Sequence, residues 1–209
     1  MSNKYHFDVL NCHYCKGTRQ DNGSVEFGNE VKALHGLISM DMSPEGETKK
    51  LRADGIDYIV YTSNNGYSGT LNFVKIDEDF RKDCMAEAVD ETTGMMYEDA
   101  DAEFAPFALS GEFKGDQEGI RWIYYNCTAG RSNQKGENKD NQKEPDTEEL
   151  PVTVSPLAVT IGGKETSIVR GGITKTMNAT TYEQWFTKVT IPGGTAKVTI
   201  PGGTANASS

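Results

Sequence analysis

Four cysteines, three histidines and a dense run of carboxylates are the residues of this 209-residue chain whose types could do chemistry. Cys12 and Cys15 form a C-x-x-C with His13 inside it, a spacing that serves as half of a zinc site or as a redox pair. Zinc needs four ligands. The remaining candidates, His6, His13, His35, Cys84 and Cys127, are scattered, with no second C-x-x-C and no H-x-x-x-H. Residues 8–14 read as extended, and positions i and i+3 of a strand point to opposite faces, so both thiols could meet one metal only where the strand breaks. A thioredoxin-like pair would open a helix, and none follows here. Cys12 and Cys15 therefore read as small, half-buried residues, and neither a metal nor another cofactor is expected.

Nucleophilic catalysis needs a nucleophile beside a positioned base, and no histidine lies near such a group in sequence. G-x-S-x-G, the P-loop and a G-x-G-x-x-G after a strand are all missing from the sequence. Carboxylates are so abundant between Asp77 and Glu118 that no one pair stands out, and Asp77-Glu78-Asp79 lacks the alternating ligands and glycine of an EF-hand. No catalytic residue is assigned, and the chain reads as a non-enzyme.

The elements that would carry these residues are mostly short strands. Residues 8–14, 24–27, 36–42, 48–53, 56–63, 67–76, 105–113, 120–129 and 150–154 combine β-branched or aromatic residues with flanking turn chemistry. Asn64-Asn65-Gly66 tolerates positive φ and predicts a hairpin joining 56–63 to 67–76. One helix is expected over 78–88, with Asp77 as N-cap, acids in the first turn and an apolar stripe of Phe80, Cys84 and Ala88. Trp122, Ile123, Tyr124 and Tyr125 are apolar on both strand faces, so their strand is either central in a layered core or faces a neighbouring subunit. The fold class is mainly β, a sandwich or barrel with one helix among the strands. Residues 131–147 carry no apolar anchor and read as a mobile loop. Lys188-Val189-Thr190-Ile191-Pro192-Gly193-Gly194-Thr195 recurs nine residues later from Lys197 to Thr204, with Val-Thr-Ile suited to a short strand and Pro-Gly to a type II turn. The repeat is either one docked copy with one loose copy, or an arm that adds a strand to a neighbour's edge.

Net charge is −10. Fourteen acids against three bases between Asp77 and Glu118 account for essentially all of it. Such a balance argues against gripping nucleic acid, which requires Lys and Arg to displace counterions, and against docking on anionic lipid. No run approaches a membrane span of about 20 apolar residues, and the first residues lack a signal peptide's apolar core. Synthesis in a cytoplasm with reduced cysteines is expected, which leaves the sequons at Asn22, Asn126, Asn178 and Asn206 without meaning.

Several segments, in order, resemble one family. Asn11-Cys12-His13-Tyr14 resembles its opening strand, Asn64-Asn65-Gly66-Tyr67-Ser68-Gly69-Thr70-Leu71 its hairpin, and Asp79-Phe80-Arg81-Lys82-Asp83 the start of its helix. Pro106-Phe107-Ala108-Leu109, Gly115-Asp116-Gln117 and Tyr125-Asn126-Cys127-Thr128-Ala129 resemble its later strands. Glu144-Pro145-Asp146-Thr147-Glu148 and Ala179-Thr180-Thr181-Tyr182-Glu183-Gln184-Trp185-Phe186 resemble its last blocks. The family is the phi13-type major tail protein, the tail tube protein of long-tailed, non-contractile bacteriophages. Cys12, Cys15 and the repeat after Pro192 depart from its pattern.

The resemblance implies a virion protein made in the host cytoplasm, with a tail tube domain over 1–192, built as a β-sandwich or flattened barrel with one flanking helix, extended loops and terminal arms, and a repeated, partly flexible tail over 193–209. It implies self-assembly into hexameric rings stacked as a tube, contacts with tape measure, tail terminator and distal tail proteins, and double-stranded DNA passing through the lumen without specific binding. An acidic wall would let phosphates pass where a basic one would hold them. Trp122, Tyr124, Phe80, Arg81 and Lys82 are the candidate subunit-interface residues, while the lumen-facing acids are not assigned. The competing reading is a monomeric all-β binding module for carbohydrate or protein.

Overall fold

The computed structural model describes residues 6–21, 24–116, 118–136 and 146–193. Most of the polar loop 131–147, the tail beyond Gly193 with the second repeat copy, and the sequons at Asn22 and Asn206 lie outside the described residues. The chain is mainly β, as its strand-rich sequence predicts. Its strands are β1 (Val9–Arg19), β2 (Val25–Phe27), β3 (Lys32–Ala33), β4 (Leu37–Glu45), β5 (Thr48–Ala53), β6 (Ile56–Thr62) and β7 (Gly66–Phe73). After helix α1 (Glu78–Cys84) follow β8 (Glu87–Val89), β9 (Met96–Glu98), β10 (Phe107–Phe113), β11 (Arg121–Ala129) and β12 (Glu148–Val154). Next come β13 (Leu157–Ile161), β14 (Lys164–Ile168), β15 (Arg170–Ile173) and a one-turn helix, α2 (Ala179–Glu183).

One antiparallel sheet runs β2-β1-β10-β11-β12-β7-β4, with β3 added to β1 and β15 to β11. β3 sits near one end of this order and β4 at the other, yet only residues 34–36 separate them. That link spans at most roughly 14 Å, so the sheet curls until its ends approach, as a flattened barrel. Pro44 is tolerated in β4 because this strand pairs on one side only, with β7.

A bulge in β11 sets which of its side chains face inward. Along β11 the register advances three residues between Cys127 and Tyr124 while β10 advances two, and Asn126 at the extra position takes φ +36°. The shift turns Trp122, Tyr124, Cys127 and Ala129 to one side and leaves Ile123 and Tyr125 on the other. Both faces of β11 are therefore covered by its own chain, which selects the central-strand reading. Inside the barrel, Tyr14, Leu71, Phe73, Phe107, Leu109, Leu150, Val152 and Val154 pack with Phe80 and Cys84 of α1. Outside, Val25, Ala108, Ile123 and Tyr125 are covered by Leu157 and Val159 of the β13–β14 hairpin and by Trp185 and Ile191.

The helix is shorter than its stripe suggests. Asp77 caps it, accepting from the Asp79 amide at 3.2 Å, and Phe80 and Cys84 are buried as expected. It stops at Cys84 because Ala86 adopts φ +56°, which reverses the chain into β8; Ala88 pairs with Tyr97 of β9 instead of extending the stripe. Asn64-Asn65-Gly66 also differs from expectation. β6 pairs with β5 and β7 with β4, so the triplet joins no hairpin. The true hairpin turn is Asp54-Gly55, with φ +53° and +79°, the positive pair that a two-residue type I′ turn requires. Gly66, at φ +116°, is the corner where this long hairpin leaves the barrel, and a Cβ there would lie 1.9 Å from the Val154 carbonyl oxygen.

Candidate interaction surfaces

The cysteines are placed by strand geometry. Cys12 lies in the barrel core and Cys15 in the outer cluster, on opposite faces of β1. Burial pushes the Cys12 thiol up to about 12 and the Cys15 thiol up to about 11, and raises Cys84 and Cys127 further. Reactive cysteines need the opposite shift. Among the described residues, no group of three or more His, Cys, Asp or Glu is placed to hold a metal ion.

Four of the five side chains assigned to a subunit interface are engaged inside their own chain. Phe80 is fully buried, edge-on to Tyr14 at 5.0 Å and to Phe107 at 5.1 Å. Arg81 pairs with Glu87 at 3.1 Å and Glu148 at 2.7 Å, fastening α1 to β8 and β12. Trp122 and Tyr124 are buried at the mouth of the barrel. Lys82 is exposed on the helix surface. Beside it, Asp83 accepts from Lys32 at 2.7 Å and Tyr14 at 2.9 Å. Burial pushes this carboxyl up, but the two hydrogen bonds outweigh burial and hold it below the usual carboxylate range.

The exposed apolar surface is concentrated elsewhere. Beyond Gly66 the β5–β6 ribbon leaves the barrel and runs roughly 25 Å at strand rise. Its pairings place Leu51 opposite Ile59 and Lys49 opposite Tyr61 on one face, with Val60 opposite Lys50 on the other. Leu51, Ile56, Tyr58, Val60 and Tyr61 are all more than half exposed. The polar contacts of the ribbon are local, namely Lys50 and Arg52 on Asp57 and Lys49 on Glu47. Isolated two-stranded ribbons are marginal in water, and a strand apolar on both faces belongs between two layers. Both strands are legible in the sequence but their protrusion is not, because it follows from the β5–β6 pairing across Asp54-Gly55.

A second surface is a groove of about 470 Å³ at the barrel mouth, lined by Met40, Phe113, Trp122, Tyr124, Arg170 and Gly171. Its rings form a chain of contacts, Phe113 to Trp122 at 5.6 Å, Trp122 to Tyr124 at 5.8 Å and Tyr124 to Tyr67 at 5.4 Å, with the Arg170 guanidinium 5.3 Å above Tyr67. The Trp122 indole nitrogen is buried and finds no hydrogen-bond partner among the described residues.

The acids that dominate the charge line exposed stretches, with Glu78 and Asp79 on α1, Glu91 and Glu98 on the β8–β9 hairpin, and Asp99, Asp101 and Glu103 in the loop after it. No helix among the described residues is long and apolar enough to cross a membrane. No protein-family model matches this chain, and no curated protein matches it in sequence.

Proposed function

We propose that this chain is a structural protein that self-assembles into stacked hexameric rings, forming the tail tube through which a phage genome passes into the host. The observation that carries self-assembly is the protruding β5–β6 ribbon, whose two apolar faces have no cover among the described residues. Covering those faces needs surface from other copies on both sides, which a repeating assembly supplies and an isolated monomer does not. The ring, the tube, the virion location and the tape measure, terminator and distal tail partners rest on the family resemblance. The acidic surface supports the conduit, since a wall poor in Lys and Arg has no means of gripping DNA in transit. No catalytic role is assigned.

The test is negative-stain electron microscopy beside light scattering at high protein concentration, for wild type and a Leu51→Ser/Val60→Ser ribbon variant. Hollow rings or rods of uniform width are expected for wild type, and at least about tenfold weaker self-association for the variant. A wild type that stays monomeric even when seeded with preformed tail tips refutes the proposal.

The aromatic barrel-mouth groove favours a second reading, a monomeric module that binds carbohydrate or another protein. Under that reading Trp122→Ala abolishes glycan or partner binding, and the ribbon variant does not.

A further inference from the structure

Residues 189–193 of the first repeat copy dock against the outer face of their own fold. Ile191 is buried against the outer face of β11 and the β13–β14 hairpin, among Ile123, Tyr125, Leu157, Val159 and Trp185, with Val189 packed at its side. The Tyr125 hydroxyl donates to the Thr190 main-chain oxygen at 2.8 Å, a bond indifferent to the side chain at that position. Gly193, at φ +93°, turns over β13, where a Cβ would sit 3.3 Å from the Thr160 carbonyl oxygen and 3.4 Å from Ile161 Cα. The expected strand over Val189-Thr190-Ile191 does not form, since the segment joins no ladder and one side-chain bond and apolar contact hold it. The Thr190 hydroxyl is buried without a partner among the described residues, which weakens that hold.

Every residue used in this docking has an identical counterpart nine positions on. Val198, Thr199, Ile200, Pro201 and Gly202 repeat Val189, Thr190, Ile191, Pro192 and Gly193. We infer that the groove formed by Ile123, Tyr125, Leu157, Val159 and Trp185 is a receptor for the V-T-I-P-G motif, and that the second copy of the same chain, Lys197–Thr204, exchanges with the first in it. Exchange breaks no strand pairing. The two occupancies differ only by nine residues of tether after Phe186, and the entropy of closing a longer loop grows slowly with length. The chain thus has two C-terminal registers, one releasing the last residues and one looping nine residues out beside β13. This inference does not depend on tube assembly.

Hydrogen exchange of the β13 amides in the intact chain reads the occupancy, compared across wild type, Ile191→Asp, Ile200→Asp and the double variant. If either copy fills the groove, each single variant raises exchange by less than about threefold and the double by tenfold or more, a large departure from additivity. Ile191→Asp alone matching the double variant overturns the inference. So does loss of the Ile191→Asp variant's protection on dilution, which would assign the groove to a neighbour's tail. The milder pair Ile191→Ala and Ile200→Ala repeats the comparison should the aspartates prevent folding, with the same pattern expected and the same pattern decisive against.

Discussion

Arg81, a candidate subunit-interface residue from the family resemblance, makes its ion pairs within its own chain. It closes a three-element knot of α1, β8 and β12 with Glu87 and Glu148. Glu148 also accepts the Ile76 amide at 2.8 Å, so the knot ties the helix entry as well. Removing the guanidinium leaves two half-buried carboxylates facing each other. Arg81→Ala should therefore lower unfolding free energy by about 3 kcal/mol in urea titration, while Lys82→Ala on the exposed side should change it by less than about 0.5 kcal/mol. Two residues on from Arg81, Asp83 sets an acid dependence. Its folded-state pKa lies below the unfolded value because Lys32 and Tyr14 donate to it. Its stabilisation is thus complete above the ordinary carboxylate value of about 3.9 and is lost as pH falls through the depressed folded value. Asp83→Asn should flatten the acid limb of the stability–pH curve below pH about 4 while leaving its shape near neutrality unchanged, a comparison thermal melts across pH would make.

At the scale of elements, legibility followed length and pattern. The core of β11 was visible because Trp122, Ile123, Tyr124 and Tyr125 run together as β-branched and aromatic residues, and Asp77 was visible as a cap because its chemistry is local. The interruptions were less visible. Ala86 ended α1 through a backbone angle that alanine rarely adopts and that no pattern announces. β14 is Lys164-Glu165-Thr166-Ser167-Ile168, too polar to show periodicity, and is a strand because β13 pairs with it. α2 is one turn long and is held by tertiary contacts, with Arg121 lying 3.9 Å from the Tyr182 ring and 4.7 Å from the Phe186 ring. Of the candidate site, the residue types were legible and the exposure was not. Trp122 and Tyr124 looked like an interface, yet their burial is set by a bulge at Asn126, and the exposed ribbon is set by Asp54-Gly55. That turn makes a further prediction. Gly55→Val forces a β-branched residue into φ +79°, at a local cost of about 1–2 kcal/mol. Because the ribbon adds nothing to the barrel core, amide exchange should rise in β5 and β6 while the global melting temperature stays within about 2 °C. A matching fall in melting temperature would mean that the ribbon folds as one unit with the barrel.

For the molecule as a whole, the apolar ribbon and the acidic surface act in opposite directions on association. A net charge of −10 makes each approaching copy repel the next. The ribbon attracts without regard to sign, since its own Lys and Arg are already matched by Glu47 and Asp57. Salt separates the two contributions. Screening shortens the reach of repulsion from about 30 Å at 0.01 M to about 8 Å at 0.15 M and leaves apolar burial almost unaffected. Self-association driven by the ribbon should therefore strengthen by about tenfold or more between those two salt concentrations, as sedimentation velocity would record. An interface built on ion pairs between the acidic surface and exposed cations such as Lys82 would weaken over the same range. The sign of the salt effect thus decides whether copies meet through the ribbon's apolar faces or through charge. A strengthening that disappears in the Leu51→Ser/Val60→Ser variant would assign the contact to the ribbon itself.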